Sequence, residues 1–437
     1  MSELEKFIDA LVDFIKTYQF HHISQFYYDA LFNYLAVTLK GSQQEAVSIV
    51  ADTFTKDGTG DYQPLGRNEK LSLSNCVYID CLSSAILAYD DIHFQTGVHP
   101  CGPVASCILA VARLEKLSLK EVLEALCIGM EIECRMAVVL FDNQESALKG
   151  WYPTGIVGGI GAIAAIARLY HFTNEQTKSA MALAATYASG VRGTHGSMAG
   201  SIVPAIASQN GFIAAMLIKN GLTCYVNAIT GQNGLICQIT DAPAINAALK
   251  GLSQTFISMQ SSCKMYPYRF ISYAAIASLK NKHITYEIES ITVEVSPYVA
   301  LLGSQSHPQT MYDAFVSLPY IVAKVIVDPK RITKPLDEFF YIDKKTKEII
   351  DKISIKANPK MQNNEVKIMI KSQDKIHTYE CHQAPGSQEC PMTHLQVIQK
   401  FKCLMNKNCD KVIHHFYHQD ISDIYDFINS AMRSSYS

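Results

Sequence analysis

The stretch YDDIHFQTGVHPCGP, residues 89–103, places two carboxylates and two imidazoles in the middle of an apolar region. Residues 76–88 and residues 104–114 on either side are rich in Ala, Leu, Ile and Val, a composition typical of buried helices. Polar side chains in such a setting need partners, because an unpaired buried polar group costs free energy. Burial and neighbouring charge also move carboxylate and imidazole pKa values towards neutral pH. The pattern therefore predicts a polar site among packed helices that is suited to acid/base chemistry.

Length and composition predict a globular protein of more than one domain, because 437 residues exceed the usual size of one core. The 38 basic and 40 acidic side chains nearly cancel, so no charge excess favours nucleic acid or an anionic membrane as a partner. The 13 cysteines form no CxxC pair, which favours a reducing compartment. The N-terminus has no hydrophobic signal core, and the most apolar run, residues 155–167, is too short to span a bilayer. We therefore expect a soluble, cytoplasmic protein without a membrane partner.

The N-terminal half has the apolar spacing of helices. Two amphipathic helices are predicted within residues 3–40. Capping-box patterns begin further helices at Ser118 and Thr173, and a run of Gly and Ala after Pro153 predicts helices that approach closely. Residues 53–70 have turn chemistry and are predicted to be a surface loop.

The apolar period changes near residue 285, where alternation typical of half-buried strands begins. The predicted strands are 289–297, 364–370 and 375–381. The predicted helices of this part are 308–327, 336–350 and, at the end of the chain, 421–432. This mixture predicts a separate α+β domain that is inserted before a final helix.

A series of short motifs resembles the MmgE/PrpD superfamily. In chain order the matching motifs are YDDIH at 89–93, HP at 99–100, GWYPTG at 150–155, GSM at 196–198, KMYP at 264–267, SLPY at 317–320 and KF at 400–401. Each motif alone is a weak signal. Their order and spacing are specific, because the series covers nearly the whole chain.

This resemblance implies a mostly α fold with a large all-helical domain, residues 1–259 and 398–437, and a smaller α+β lid domain, residues 260–397. Members of the family include 2-methylcitrate dehydratase, cis-aconitate decarboxylase and iminodisuccinate epimerase. They act on small polycarboxylates without a metal or organic cofactor. The resemblance therefore implies a cofactor-independent homodimer with a small polycarboxylate substrate bound in a cleft between the two domains.

The resemblance also assigns roles to individual residues. The residues expected to be catalytic are His99, Asp90, Asp91 and Tyr152. The residues expected to bind the substrate are Lys264, Arg269, Thr154, His195 and Ser197. No metal site is expected: His414, His415 and His418 include an i, i+4 pair, but no third ligand is evident and a solvent-facing helix explains them better.

Several side chains depart from the family pattern. After residues 196–198 the family commonly has Thr-Lys-Pro-Leu-His, whereas this chain has Gly200 and Val203 at the Lys and His positions. Tyr152 and Arg269 stand where the family has histidines. A phenol with a reference pKa near about 10 is a poorer proton carrier at neutral pH than an imidazole. His195 and Arg192 lie close in sequence to the lost Lys and His positions and are candidates to compensate for them. Arg269 is suited to clamp a carboxylate in place of donating a proton, so the substrate and the reaction stay open.

Structural roles compete with these assignments. Asp90 and Asp91 could cap a helix or pair with Arg135, and His99 could be a core histidine. The functional hypothesis is a cofactor-independent lyase that dehydrates or decarboxylates a small di- or tricarboxylic acid. One alternative is an isomerase or epimerase that removes and returns a proton. The other alternative is a binding homologue without turnover.

Overall fold

The computed structural model of the protein describes residues 2–142, 149–336, 340–373, 375–405 and 409–432. The fold is mostly helical, as predicted, and a small sheet lies in the C-terminal region. The helices of the first 250 residues are α1 (Glu3–Thr17), α2 (Gln25–Gly41), α3 (Glu45–Asp57), α4 (Leu73–Ala85), α5 (Cys101–Leu114), α6 (Leu119–Phe141), α7 (Pro153–Leu169), α8 (Asn174–Thr186), α9 (Ile202–Lys219), α10 (Asn227–Thr230), α11 (Leu235–Ile239) and α12 (Ile245–Leu249).

The remaining helices are shorter on average. They are α13 (Tyr273–Leu279), α14 (Pro297–Gly303), α15 (Met311–Ala314), α16 (Leu318–Val327), α17 (Lys344–Ile350), α18 (His394–Met405), α19 (Asp410–His418) and α20 (Ile424–Phe427). The strands are β1 (Asp91–His93), β2 (Ser261–Cys263), β3 (Ser290–Val295), β4 (Ile353–Ala357), β5 (Val366–Ser372) and β6 (Lys375–Cys381).

Local capping signals in the sequence are confirmed. The predicted capping boxes begin α6 at Ser118 and α8 at Thr173, each with its reciprocal side-chain bond. The loop predicted for residues 53–70 is partly wrong, because α3 extends to Asp57. Its Ala46, Val47 and Ala51 side chains are buried, and the turn residues end the helix only from Gly58 onwards.

The Gly- and Ala-rich helix α7 lies at the centre of the helical layer, in contact with α1, α5, α6, α8 and α9. A Cβ atom added to Gly159 would lie 2.9 Å from the Ala207 carbonyl oxygen, and one added to Gly211 would lie 2.7 Å from the Gly159 carbonyl oxygen. Helices α7 and α9 therefore cross at a distance that only glycine permits at these two positions. This confirms the close packing predicted from composition.

One segment of the described chain, Met198–Lys219, is long and apolar enough to cross a membrane by length and composition alone. However, 56% of its most apolar window is buried inside the protein. Helix α9, which forms most of it, packs against α4, α5 and α7. Burial in the helical layer therefore explains its apolar character.

The C-terminal sheet has the strand order β4-β3-β5-β6. Strand β3 runs parallel to β4 and antiparallel to β5, and β5 pairs antiparallel with β6. The predicted strands are confirmed as β3, β5 and β6, and the alternation of β3 is seen in its burial. Strand β4 was not predicted. It lies at the edge and has no fully buried residue, so its apolar signal is weak.

The C-terminal helices are shorter than predicted. The helix predicted at 308–327 is two helices, because Ser317 caps a new helix α16 and Pro319 occupies its first turn. The helix predicted at 336–350 begins only at Lys344, where the Asp343 side chain caps α17; residues 337–339 of that prediction lie outside the described residues. The last predicted helix is the short α20, followed by a π-helical turn at Ile428–Met432.

A two-stranded ribbon of β1 and β2 positions the site. It places Asp91 opposite Cys263, so residues about 170 positions apart in the chain become neighbours. The backbone amide of Lys264 extends the pairing by donating to the Asp90 carbonyl, at 2.9 Å. Helix α18 packs beside α2, where the Phe32 and Phe401 rings stack with centroids 4.1 Å apart. The domain limits at 259/260 and 397/398 stay predictions.

Candidate active site

Three of the predicted site residues form a buried charged cluster at the ribbon. Lys264 Nζ lies 2.5 Å from Asp90 Oδ1, and His99 Nδ1 lies 3.0 Å from Asp90 Oδ2. Burial alone would raise the pKa of Asp90, but Lys264 and His99 outweigh it and hold that pKa well below its usual range. Burial lowers the pKa of Lys264, and Asp90 opposes this shift. Asp90 is therefore an anion held between two nitrogen groups.

His99 is held in one tautomer by its surroundings. Its Nδ1 lies 2.5 Å from the Asp91 carbonyl oxygen, which can only accept, so Nδ1 carries the proton. Its backbone amide donates to Thr154 Oγ1 at 2.9 Å, which holds the chain behind the ring. Burial and Lys264 lower the pKa of His99, although Asp90 opposes them. The ring is therefore neutral at neutral pH, and Nε2 keeps a lone pair.

Asp91 lies beneath the cluster and points to a helix end. Its Oδ2 accepts from the Cys101 amide at the start of α5, at 3.0 Å, so the capping role considered from sequence holds for Asp91. Burial and the neighbouring Asp90 raise the pKa of Asp91 to about 7. The other structural alternative, pairing with Arg135, is wrong. Arg135 Nε instead donates to Glu131 Oε1 at 2.7 Å within α6.

The raised pKa of Asp91 has a consequence for stability. Its folded pKa of about 7 lies above the unfolded value of about 3.9, so its stabilising effect is present at low pH and is lost as the pH rises through 7. We expect Asp91→Asn to remove this loss, because the amide oxygen still accepts from Cys101 without a buried charge. The wild type should lose stability between pH 6 and pH 8 and the variant should not. The Tm of the variant minus the Tm of the wild type should therefore increase by about 1–3 °C over this range. Calorimetry at both pH values measures it, and an identical pH dependence in the two proteins would contradict the assignment.

Two adjoining cavities open onto the cluster and share the side chains of His99, Tyr152, Lys264 and Arg269. The first cavity is small, and its other lining residues include Asp90, Ser197, Gly200, Ser201, Tyr312 and Phe315. The second cavity has a volume of about 280 Å³, and its other polar lining residues are Arg192, His195, Tyr298 and Gln305. Most of the residues predicted for the site therefore meet at one place. Asp91 and Thr154 line neither cavity and lie behind His99.

The second cavity is rich in positive charge. Arg269 and Arg192 line it with Lys264, and Arg269 has no ion-pair partner among the described residues. Burial lowers the pKa of His195 to about 2, with Arg269 and Arg192 adding to the effect, so this ring is neutral. Its ring centroid lies 4.9 Å from that of Tyr152. Burial raises the pKa of Tyr152 and Arg269 opposes it, so the phenol keeps its proton.

Gly200 and Val203, which stand at the family's Lys and His positions, have different surroundings. Gly200 lines the first cavity, so the missing lysine leaves space at the site itself. Val203 lies outside both cavities, and its Cγ1 atom would be 2.5 Å from a Cβ atom on Gly155 and 2.4 Å from one on Gly190. Valine at this position packs against the start of α7. Arg192, which sequence suggested only as a compensation, does line the second cavity.

Lys400 is a residue of the site whose role sequence reasoning missed. Its Nζ donates to the Tyr89 carbonyl at 2.6 Å and to the Lys264 carbonyl at 2.9 Å, and it lies 3.7 Å from the centre of the Tyr89 ring. Burial lowers the pKa of Lys400 to about 7. Lys400 thus ties the segment carrying Asp90 to the segment carrying Lys264. The KF motif marks its position, but bonds to backbone carbonyls leave no side-chain pattern.

We expect Lys400→Met to lower the free energy of unfolding by about 2–3 kcal/mol, because it leaves two buried carbonyls unsatisfied. Turnover should fall as well, since Asp90 and Lys264 lose their common support. Denaturant unfolding and steady-state kinetics measure the two effects. Lys402→Met is the matched control on the same helix, because Lys402 is half exposed and its ion pair with Asp410 lies at the surface. Equal stability of the two variants would refute the role.

Two of the C-terminal histidines, the i, i+4 pair, face solvent as expected, whereas His415 is partly buried against Phe427. His414 and His418 lie on one face of α19 with ring centroids 5.1 Å apart, and both are exposed. Within the described ranges no group of three or more His, Cys, Asp or Glu side chains is placed to hold a metal ion. This pair carries no functional assignment.

Comparison with known proteins identifies the family to which the chain belongs. Residues 9–247 match the MmgE/PrpD N-terminal domain, and residues 270–414 match the MmgE/PrpD C-terminal domain. Over 175 residues the chain is 23% identical to the cis-aconitate decarboxylase-like protein oryM of Aspergillus oryzae. That match covers 37% of this chain and 36% of the relative, so it spans little more than a third of either protein. Since the two domain matches together span most of the sequence, the chain belongs to the MmgE/PrpD family.

Proposed function

We propose that the protein is a cofactor-independent lyase that acts on a small di- or tricarboxylic acid by moving a proton at a carbon next to a carboxylate. The observation that carries the proposal is the setting of His99. Its ring is neutral, its Nδ1 proton is held by the Asp91 carbonyl, and its side chain lines both cavities beside Lys264 and Arg269. A base with a fixed lone pair next to two cations fits proton removal from an anionic substrate.

The proposed chemistry divides the site into a base and a set of carboxylate-binding groups. His99 Nε2 removes the proton from the carbon next to a carboxylate, and Asp90 stabilises the imidazolium that forms. In a dehydration the electron pair of the broken C–H bond forms a C=C bond, and the hydroxyl group leaves with a proton as water. In a decarboxylation no C–H bond breaks: the C–C bond to one carboxylate breaks, CO2 leaves, and the carbanion takes a proton from an acid, so His99 acts as the base only in the dehydration. Tyr152 and Lys264 both line the cavity and are the groups proposed to donate that proton.

Substrate charge is matched by the cations of the site. Lys264 uses one contact for Asp90, which leaves N–H groups for a substrate carboxylate. Arg269 offers a planar guanidinium that can hold a carboxylate through two hydrogen bonds, a geometry that histidine does not provide. The replacement of a family histidine by Arg269 therefore favours binding of a carboxylate over donation of a proton at that position.

Proton NMR in D2O tests the function. Purified protein is incubated with 2-methylcitrate, cis-aconitate and related acids, and spectra are recorded over time. Loss of water or CO2 from any of them supports the lyase. Deuterium uptake without elimination would replace it by the isomerase, and acids that raise the Tm without any reaction would replace it by the binding homologue.

A further inference from the structure

The second cavity has an apolar wall that the proposed chemistry does not use. This apolar wall is the set of apolar side chains that line the cavity together with the charged residues: Ile92, Pro153, Phe270, Ile271, Leu302 and Val316. A citrate-like acid carries polar groups on nearly every carbon and gains nothing from such a wall. Ligand cavities usually combine apolar surface with a few oriented polar groups, and the ligand mirrors that division.

The apolar wall comes from separate parts of the chain and extends to the cavity mouth. Ile92 lies in β1 and Ile271 in the turn that precedes α13, and they are 3% and 4% exposed. Leu302, on α14, is 38% exposed and therefore lies at the mouth. Tyr298 lies four residues before Leu302, on the same face of α14, and also lines the cavity. The wall thus combines buried side chains with one that is partly exposed to solvent.

We infer that the substrate is a di- or tricarboxylic acid that carries an unbranched alkyl chain. Its carboxylates bind at Lys264 and Arg269, and its chain lies along the wall towards Leu302. The inference rests on the proposed function and names the substrate class of the same site. Transfer of each methylene group from water to such a wall strengthens binding about three- to fourfold.

Binding of unreactive acids tests this inference separately from turnover. Succinate, methylsuccinate, butylsuccinate and hexylsuccinate carry no leaving group, so calorimetric titration of the full-length protein measures their Kd without reaction. We expect the Kd to fall about three- to fourfold per methylene group until the wall is covered. A Kd that stays constant or rises with chain length would overturn the inference.

Two variants at neighbouring positions test where the alkyl chain of the ligand binds. Leu302→Trp fills the mouth and should reduce the ratio of the succinate Kd to the hexylsuccinate Kd at least tenfold. Leu301→Trp is the matched control, because Leu301 lies on the same helix, is 70% exposed and does not line the cavity. Its ratio should equal that of the wild type. If Leu302→Trp also keeps the wild-type ratio, the alkyl chain does not bind at this wall.

The two proposals fail in different ways. Chain-length dependence among the succinates, combined with no loss of water or CO2 from 2-methylcitrate, cis-aconitate or their alkyl-substituted relatives, overturns the lyase and supports the alkyl-binding wall. Elimination from unsubstituted acids, with no chain-length dependence, supports the lyase and overturns the alkyl substrate. Failure of every acid to bind overturns both.

Discussion

Replacing His99 by Asn is expected to lower kcat/KM by about 10²–10⁴-fold while the protein stays folded. The Asn amide can donate to the Asp91 carbonyl as His99 Nδ1 does, but it offers no lone pair at the Nε2 position. The loss therefore concerns proton transfer and leaves the support of the β1 segment in place. Steady-state kinetics on the acid that the NMR experiment identifies measures the effect, and calorimetry verifies the fold.

The pH profile of the wild type gives an independent test of the same role. As the pH falls through the pKa of His99, the ring gains a proton and the base is lost, so kcat/KM falls. Because burial lowers that pKa, the acid limb should lie below the ordinary histidine value of about 6.5. The control for the His99→Asn variant is His414→Asn, at an exposed position, which should leave the kinetics unchanged. Undiminished turnover by His99→Asn would end the assignment of His99 as the base.

Replacing Lys264 by Met is expected to lower the free energy of unfolding by about 3–5 kcal/mol and to abolish substrate binding. The side chains of Lys264 and Asp90 are 5% and 9% exposed, so removal of the cation leaves a buried carboxylate without its ion-pair partner. Without Lys264 the pKa of Asp90 rises, so the stability deficit should shrink as the pH falls and Asp90 takes up a proton. Denaturant unfolding at pH 5 and pH 8 measures both effects.

The double variant Lys264→Met/Asp90→Asn separates stability from function. With the buried charge removed, it should regain most of the stability of the wild type, yet it still lacks the cation that binds the substrate. A surface pair supplies the matched control. Lys367 lies 3.0 Å from Glu380 with both side chains about 40% exposed, so Lys367→Met should cost less than about 1 kcal/mol. A double variant no more stable than Lys264→Met would show that the ion pair does not explain the loss.

Parts of the fold that depend on near neighbours were predictable. The caps at Ser118 and Thr173 require only a side chain and a backbone amide three residues apart. The strands β3, β5 and β6 alternate because one face of the sheet is buried, and that alternation is visible in any short window. Strand β4 has little buried surface, so nothing in its sequence marked it.

The candidate site also has a part that short motifs predict and a part that they do not. Asp90 and His99 are close in the chain, and the HP and KMYP motifs predict His99 and Lys264 as site residues without indicating their contact with Asp90. Motifs did not reveal that Asp91 caps α5. Nor did they reveal that Lys400 binds two backbone carbonyls.

The sequence by itself determined the helical class, most of the elements and the polar stretch at residues 89–103, because apolar periods and caps act over a few residues. Only the tertiary structure decided that this stretch meets Lys264 and Lys400, which lie about 170 and 310 residues further along the chain. The ribbon of β1 and β2 and the packing of α18 beside α2 bring them together. The same packing decides that Asp90 binds Lys264 while Asp91 caps α5, because a buried side chain can bind only the groups that pack against it. It also brings together the residues of the apolar wall, which come from separate parts of the chain.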